Sequence, residues 1–515
     1  MDSKDGRSTT FRNDFFCNLK RDLKNHKFVM AVLLITTATF GFTFFNFSLG
    51  IDDFGFRYYM NLTKESYGNM IQQGRLLHVV LYYITGLVDV VPFLNNFLSA
   101  ILMALSAVAT TALVNTAANS TLRTYEKILF FGLCVSYPAV AFKFIYDLDV
   151  LAVAISYLAV VFAVVYTFEF TQNRRKKDGI KAVLLTAIAI SSYETFVSFF
   201  GCLVILCLIL ASIHSDITFK PTIKKGLWAL GVLAVTIASY YLLVFLVQHA
   251  TNNPAYPRLN LFTQQDAPIY LALLGILGKS INPWVFFSLE NLVAIFGFIF
   301  LGFYFVKKTG KKYLHLLFWL FFLCLYSVNI AQGALYYRSC QTFCLFVSTT
   351  ALLFMILFRD KKPRKAVLAL LTLLLLLQIK DTNTWFFKDW TNYQKNNYAI
   401  HRIATDLHSG YDIKNKPVCF VNRDYDSYLM SWEPEIFQHE IGESPIVASV
   451  WFLGNKTSES TFQLLEYSGY EGFLRPTVEQ ATTAKSYSKK MPAYPYDGYI
   501  QEFDDIIVVN LGANK

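Results

Sequence analysis

The sequence predicts a polytopic α-helical membrane protein with a small α/β domain at its C-terminal end. Three observations carry that prediction. The chain has 515 residues, is 54% hydrophobic and has a mean hydropathy of +0.39. Apolar runs of bilayer-crossing length, roughly 20 residues, recur along its first three quarters. Short basic blocks separate those runs, while the last quarter has ordinary soluble composition. The formal charge of +10 therefore reads as a set of topology signals and not as a nucleic-acid stripe.

Residues 1–27 are polar and basic and form a cytoplasmic N-terminal segment. The apolar run behind them is too long for a signal-peptide core, so it reads as a retained signal anchor. Six basic clusters follow the chain. They are Lys20, Arg21, Lys24 and Lys27; Arg123 and Lys127; Arg174 to Lys177 with Lys181; Lys220, Lys224 and Lys225; Lys307, Lys308, Lys311 and Lys312; and Arg359 to Lys365. The positive-inside rule puts all six in the cytoplasm. Successive clusters must then enclose an even number of crossings.

Spans are expected near 28–50, 95–117, 127–145, 149–170, 180–192, 195–213, 226–248, 286–306, 313–330, 340–358 and 365–379. That makes about 11 crossings, with the N-terminus inside and the C-terminus outside. The pair 180–192 and 195–213 reads as either two tight spans or a partly re-entrant hairpin. Gly74 to Val90 is excluded for parity and reads as an amphipathic helix on the outer surface. A second such segment is expected between Ala267 and Trp284. The domains are thus 1–27, a transmembrane domain over 28–380, and an extracytoplasmic domain over 381–515.

In that last domain Trp390 to Leu407 has helical apolar spacing. Pro417 to Val421, Ile446 to Phe452 and Asp505 to Leu511 are strand-like. The eight cysteines are scattered, with no metal-site spacing. Cys419 stands alone after Cys344, so the tail cannot form an internal disulfide.

The topology gathers polar residues on one face. Asp52, Asp53, Arg57 and Arg75 fall in the first outer loop, Lys143, Asp147 and Asp149 in the second, Glu194 in the third, and Arg338 in the fifth. A tandem carboxylate where a span meets water can act as a base at the interface. Arginine and lysine suit a phosphate there. A lipid-linked sugar phosphate is a donor that such a site would take. Each residue also has a plainer reading. The Asp52–Asp53 pair is otherwise a solvated loop, and Arg57, Arg75 and Arg338 are interfacial anchors. Lys143 with Asp147 or Asp149 is a structural ion pair, and Glu194 is paired to another span. His78 and His249 read as interfacial.

Several short elements occur in a fixed order. They are Ser48-Leu49-Gly50-Ile51-Asp52-Asp53, then Gln73-Gly74-Arg75-Leu76-Leu77, Tyr146-Asp147-Leu148-Asp149 and Ser192-Tyr193-Glu194-Thr195-Phe196. In this the chain resembles the phage-type serotype-converting glucosyltransferases of bacterial O-antigen, a branch of the GT-C membrane glycosyltransferases. The resemblance covers the membrane region. It implies a GT-C-like fold with juxtamembrane helices in the first outer loop. It also implies inverting transfer of a sugar, expected to be glucose, from undecaprenyl phosphate to a surface polysaccharide. Asp53 or Asp52 would be the base, Arg57 and Arg75 would lie near the donor, and the C-terminal domain would help bind the polymer. Glu194 stands where the family often has glutamine.

The expected function is a glycosyltransferase of the bacterial inner membrane, working on its outer face. Its partners would be a polyprenyl-phosphate sugar, a polysaccharide such as O-antigen, and the bilayer. No cofactor is expected, and no dedicated metal-ligand set is seen beyond the acidic pairs. The alternatives are a flippase or transporter for lipid-linked saccharides, which favours midplane charges and repeats, or a polymerase.

Overall fold

The computed structural model describes residues 10–46, 48, 68, 70–85, 92–144, 147–254, 274–276, 278, 288–332, 337–421 and 459–512. The polar N-terminal segment folds into helix α1 (Phe11–Lys24), whose N-cap Thr10 accepts from the Asn13 backbone N–H. Phe15 of α1 is fully buried and meets Phe162 edge-on. The Arg12 backbone N–H donates to Glu169 Oε2 at 3.0 Å.

The membrane region continues with α2 (His26–Phe45), α3 (Leu76–Thr85), α4 (Pro92–Ala117), α5 (Thr124–Val135), α6 (Pro138–Phe144), α7 (Asp147–Asn173) and α8 (Lys176–Ile190). After these come α9 (Phe196–His214), α10 (Phe219–Ala250), α11 (Ser288–Thr309), α12 (Tyr313–Gln332), α13 (Phe343–Phe358) and α14 (Arg364–Gly410). Among the described residues, nine helices are long and apolar enough to cross a membrane. The chain is a multi-pass membrane protein.

The expected passes near 127–145 and 180–192 take shorter forms. The first is α5 followed by α6, broken before Pro138, where proline cannot continue a helix's hydrogen bonds. The second is α8, with 15 residues, about 22 Å at 1.5 Å per residue. Of the expected surface segment Gly74 to Val90, helix α3 is described over ten residues, Leu76–Thr85. The second expected surface segment is described only at Leu274, Gly275, Ile276 and Gly278, all helical.

The loops with basic clusters meet at one end of the bundle. Glu126 at the start of α5 receives Arg359 through Nε at 2.8 Å and Nη2 at 2.6 Å. Lys127 pairs with Asp22 of α1 at 2.6 Å. Asn119 donates to the His214 carbonyl at 3.1 Å, and Lys311 Nζ to the Ser212 carbonyl at 2.8 Å. Arg12 lies 3.7 Å from Asp178. These contacts tie together the ends of α1, α4, α5, α8, α9, α12 and α13. Every second interhelical connection therefore returns to the same end.

The interior is built on small residues. Ala112 of α4, and Ala154 and Ala163 of α7, are fully buried, and small side chains let helices approach closely in a bilayer. Lipid-facing surfaces are the reverse. Leu230, Leu242 and Phe245 of α10, and Phe296, Phe300 and Phe303 of α11, are more than half exposed. Large apolar surface of this extent suits hydrocarbon and not water.

Helix α14 runs 47 residues without interruption. The expected last span and the expected Trp390–Leu407 helix are therefore one element, and the 380/381 boundary falls within it. Its final turns, with Ile400, Ile403 and Leu407, form a second core with strand β1 (Val418–Val421), helix α15 (Glu459–Tyr467) and two further strands. Helix α16 (Val478–Tyr487) follows, capped by Thr477 and Gln480. Strands β2 (Ile500–Glu502) and β3 (Ile507–Asn510) complete a three-stranded sheet in the order β1-β3-β2. β1 runs parallel to β3, pairing Val418 with Ile507, and β2 runs antiparallel to it. The strand-like segment Ile446–Phe452 lies outside the described residues.

Candidate active site

At the end of the bundle opposite the basic clusters, three elements bring charged or titratable side chains to a cluster around one aromatic ring, which a fourth supplies. The first is the turn before α3. Gly74 has φ +70°, a conformation that glycine adopts without steric cost. Its backbone N–H donates to the Ile71 carbonyl at 2.9 Å, and that of Arg75 to Met70 at 2.8 Å. This is the paired bonding of a Schellman cap. Helix α10 holds the turn from outside. The Tyr240 hydroxyl donates to the Gly74 carbonyl, and Gln248 Nε2 donates to Ile71 and Gln72 carbonyls at 3.0 and 3.3 Å. The Leu77 N–H reaches the Ser191 carbonyl at 3.3 Å.

Arg75 and His78, one helical turn apart, converge on Asp149 at the start of α7. Arg75 Nη1 lies 3.3 Å from Asp149 Oδ2, and His78 Nε2 lies 3.0 Å from Oδ1. The histidine contact is close but off the N–H axis, so it is not an aligned hydrogen bond. Both ring nitrogens of His78 are buried without a hydrogen-bond partner among the described residues. Burial lowers the His78 pKa, and Asp149 opposes that shift only in part. The ring is therefore neutral near pH 7.

The ring at the centre is Tyr193, in the turn between α8 and α9. Arg75 Cζ sits 4.8 Å from its centroid and Lys143 Nζ 3.6 Å. Lys143 is 2% exposed, so its ammonium is held in a low-dielectric site where a cation–π contact is strong. The Tyr193 turn is itself pinned on both sides. Ser192 Oγ lies 2.6 Å from Ser156 Oγ, and Thr195 Oγ1 donates to Gln341 Oε1 at 3.1 Å. The Gln341 carbonyl also accepts from the Tyr157 hydroxyl at 3.2 Å. Gln341 belongs to a 3-10 turn, Tyr337–Thr342, that packs on α6, the helix carrying Lys143.

Three of the sequence-predicted residues, Arg75, Lys143 and Asp149, are thus brought together. Glu194 is not. Its side chain is exposed and forms no ion pair among the described residues. Asp147 begins α7 and Arg338 lies in the 3-10 turn, but their side chains are outside the described set. Asp52, Asp53 and Arg57 lie outside the described residues. His78, expected at the interface, is buried inside the cluster. Its three-residue spacing from Arg75 was the available signal. Tyr193 occurred in a quoted motif without a role, and nothing in its composition marked it as a platform for two cations.

Two cations held against one aromatic ring, beside a carboxylate that orients one of them, can receive an anionic group. The planar fork of a guanidinium such as that of Arg75 matches the geometry of a carboxylate or a phosphate.

A family model for glucosyl transferase GtrII matches residues 41–380. The chain belongs to the GtrII glucosyl transferase family. The match runs from within α2 to within α14 and includes every member of the Arg75–His78–Lys143–Asp149–Tyr193 cluster. The chain is thus a multi-pass membrane glucosyltransferase, taking a glucose donor and an acceptor. The C-terminal core lies beyond the residues that the GtrII model matches. No curated protein and no solved structure matches the chain.

Proposed function

We propose that this GtrII-family protein transfers glucose from a polyprenyl-phosphate carrier to a surface polysaccharide such as O-antigen, on the outer face of the bacterial inner membrane. The observation that carries the reading is the convergence of Arg75 and Lys143 on Tyr193, beside Asp149 and at the end of the bundle opposite the basic clusters. By the positive-inside rule that end faces away from the cytoplasm. Nucleotide sugars are not available there, whereas a lipid-linked phosphate is held at the interface.

In this mechanism Asp53 or Asp52 takes the proton of the acceptor hydroxyl. The freed oxygen attacks the glucose anomeric carbon from the face opposite the phosphate. The bond from that carbon to the phosphate oxygen breaks, and its electron pair leaves with the phosphate. Arg75 and Lys143 stabilise the charge that builds on the leaving phosphate, and Arg57 would join them. Direct displacement inverts the anomeric centre.

Glycan mass spectrometry of cells with and without the chain tests this. One hexose gained per repeat unit at constant chain length is the expected result. A change in chain length alone would indicate a polymerase, and lipid-linked sugar crossing liposomes without transfer would indicate a flippase. Asp53→Asn or Asp52→Asn should abolish the gain while the protein still inserts. Normal modification in both single variants would rule out the acid/base assignment.

A further inference from the structure

We propose that Asp389 is a sugar-binding carboxylate of the transfer site, accepting a hydrogen bond from a saccharide hydroxyl. The inference rests on the saccharide-transfer reading above. It concerns a residue beyond the part of the chain that the family model matches.

Helix α14 turns one stripe toward the bundle: Thr382, Trp385, Phe386 and Asp389, all buried. Asp389 is the ionisable carboxylate in that stripe and is 9% exposed. Among the described residues its polar partner is the Ser48 hydroxyl, which donates to Oδ2, and no cation pairs with it. Burying a carboxylate with one neutral donor is costly. An amide or an apolar side chain would fill the same place at lower cost. A carboxylate there has a use if a further donor reaches it, and sugars present hydroxyl donors.

A chain of ring contacts links this carboxylate to the transfer site. Phe386, one helical turn before Asp389, packs on Phe144 with centroids 6.0 Å apart, and Phe144 packs on Phe40 at 4.5 Å. Phe144 adjoins Lys143, so the stripe containing Asp389 abuts the turn that holds the Lys143 ammonium.

A purely structural role is the competing account: Ser48 and Asp389 could simply join α2 to α14. Three full-length variants in bilayer nanodiscs separate the two, assayed with polyprenyl-phosphate glucose as donor and isolated polysaccharide as acceptor. Asp389→Asn keeps an oxygen for Ser48 but loses the charge. It should lower kcat/KM by roughly 10- to 100-fold, the worth of one charge-assisted hydrogen bond, with a melting midpoint no lower than that of wild type. Asp389→Glu should recover part of that loss. Ser48→Ala removes the tether and should stay within about threefold of wild type. A raised KM for the acceptor assigns the hydroxyl to the polysaccharide, and a raised KM for the donor assigns it to glucose. Wild-type kcat/KM in Asp389→Asn, or an equal loss in Ser48→Ala, overturns the inference while transfer itself stands. A wild-type protein that moves no glucose overturns the transfer reading and this inference together.

Discussion

Tyr193 organises the candidate site because one ring carries two cations, and each can be removed alone. Lys143→Met keeps the apolar stem, and its thioether still contacts the ring. The variant should fold and insert but bind the proposed lipid-phosphate donor about tenfold more weakly, the smaller end of the value of a charged hydrogen bond. Equal donor KM in variant and wild type would remove Lys143 from the phosphate site. Arg75→Lys preserves charge but loses the planar fork that can meet Asp149 and a phosphate together. It should cost activity by a similar factor, and full activity would mean that only charge matters. His78 gives a pH signature. Its folded pKa lies below the ordinary value, so the unfolded chain takes up the proton first as pH falls. The stability it contributes is present above pH of about 6.5 and is lost on acidification toward the folded pKa. His78→Gln should flatten the acid limb of a melting-temperature profile, and an unaltered limb would mean that another group titrates there.

Individual elements divide into those the sequence made legible and those it did not. The long apolar helices and strands β1 and β3 follow from run length and residue type. The break between α5 and α6 was hidden because an apolar run of 19 residues reads the same whether or not Pro138 interrupts it. The packing of α1 was hidden too, since its buried Phe15 is set among polar residues and only tertiary contact reveals the face. For the site, Arg75, Lys143 and Asp149 were visible as charges near span ends. Their meeting on Tyr193 depends on interhelical geometry that no local pattern encodes. The Gly74 turn is the element whose failure should be most specific. Gly74→Ala forces a positive φ on a residue with a Cβ, at a cost of about 1 kcal/mol. Space is not the obstacle, since the added carbon would meet Val244 at an ordinary 3.6 Å. The variant should insert normally yet lose donor affinity as Arg75 is redirected. A variant with unchanged donor KM would show that the turn does not set the arginine.

Across the whole molecule, chemistry and charge are separated by the length of the bundle. Basic loops tie one end together, and the Tyr193 cluster occupies the other. Cysteine labelling should therefore reach Lys177→Cys and Thr251→Cys from opposite sides of the membrane. Labelling of both from the same side would break the parity argument and the proposed orientation with it. Helix α14 links the two halves of the protein without a joint. On this helix the C-terminal core begins at Tyr393 and extends to Leu407, roughly 3–24 Å beyond the apolar stretch ending at Thr391. An unbroken rod of this kind holds its payload at a set height and a set compass bearing. A one-residue insertion before Tyr393 would swing the soluble unit by about 100°. A seven-residue insertion would return it almost to its starting bearing but raise it by about 10 Å. A polymeric acceptor of the proposed kind, touching both the membrane mouth and that unit, would thus be measured against a rigid gauge, and which of its repeats is decorated would become a matter of reach.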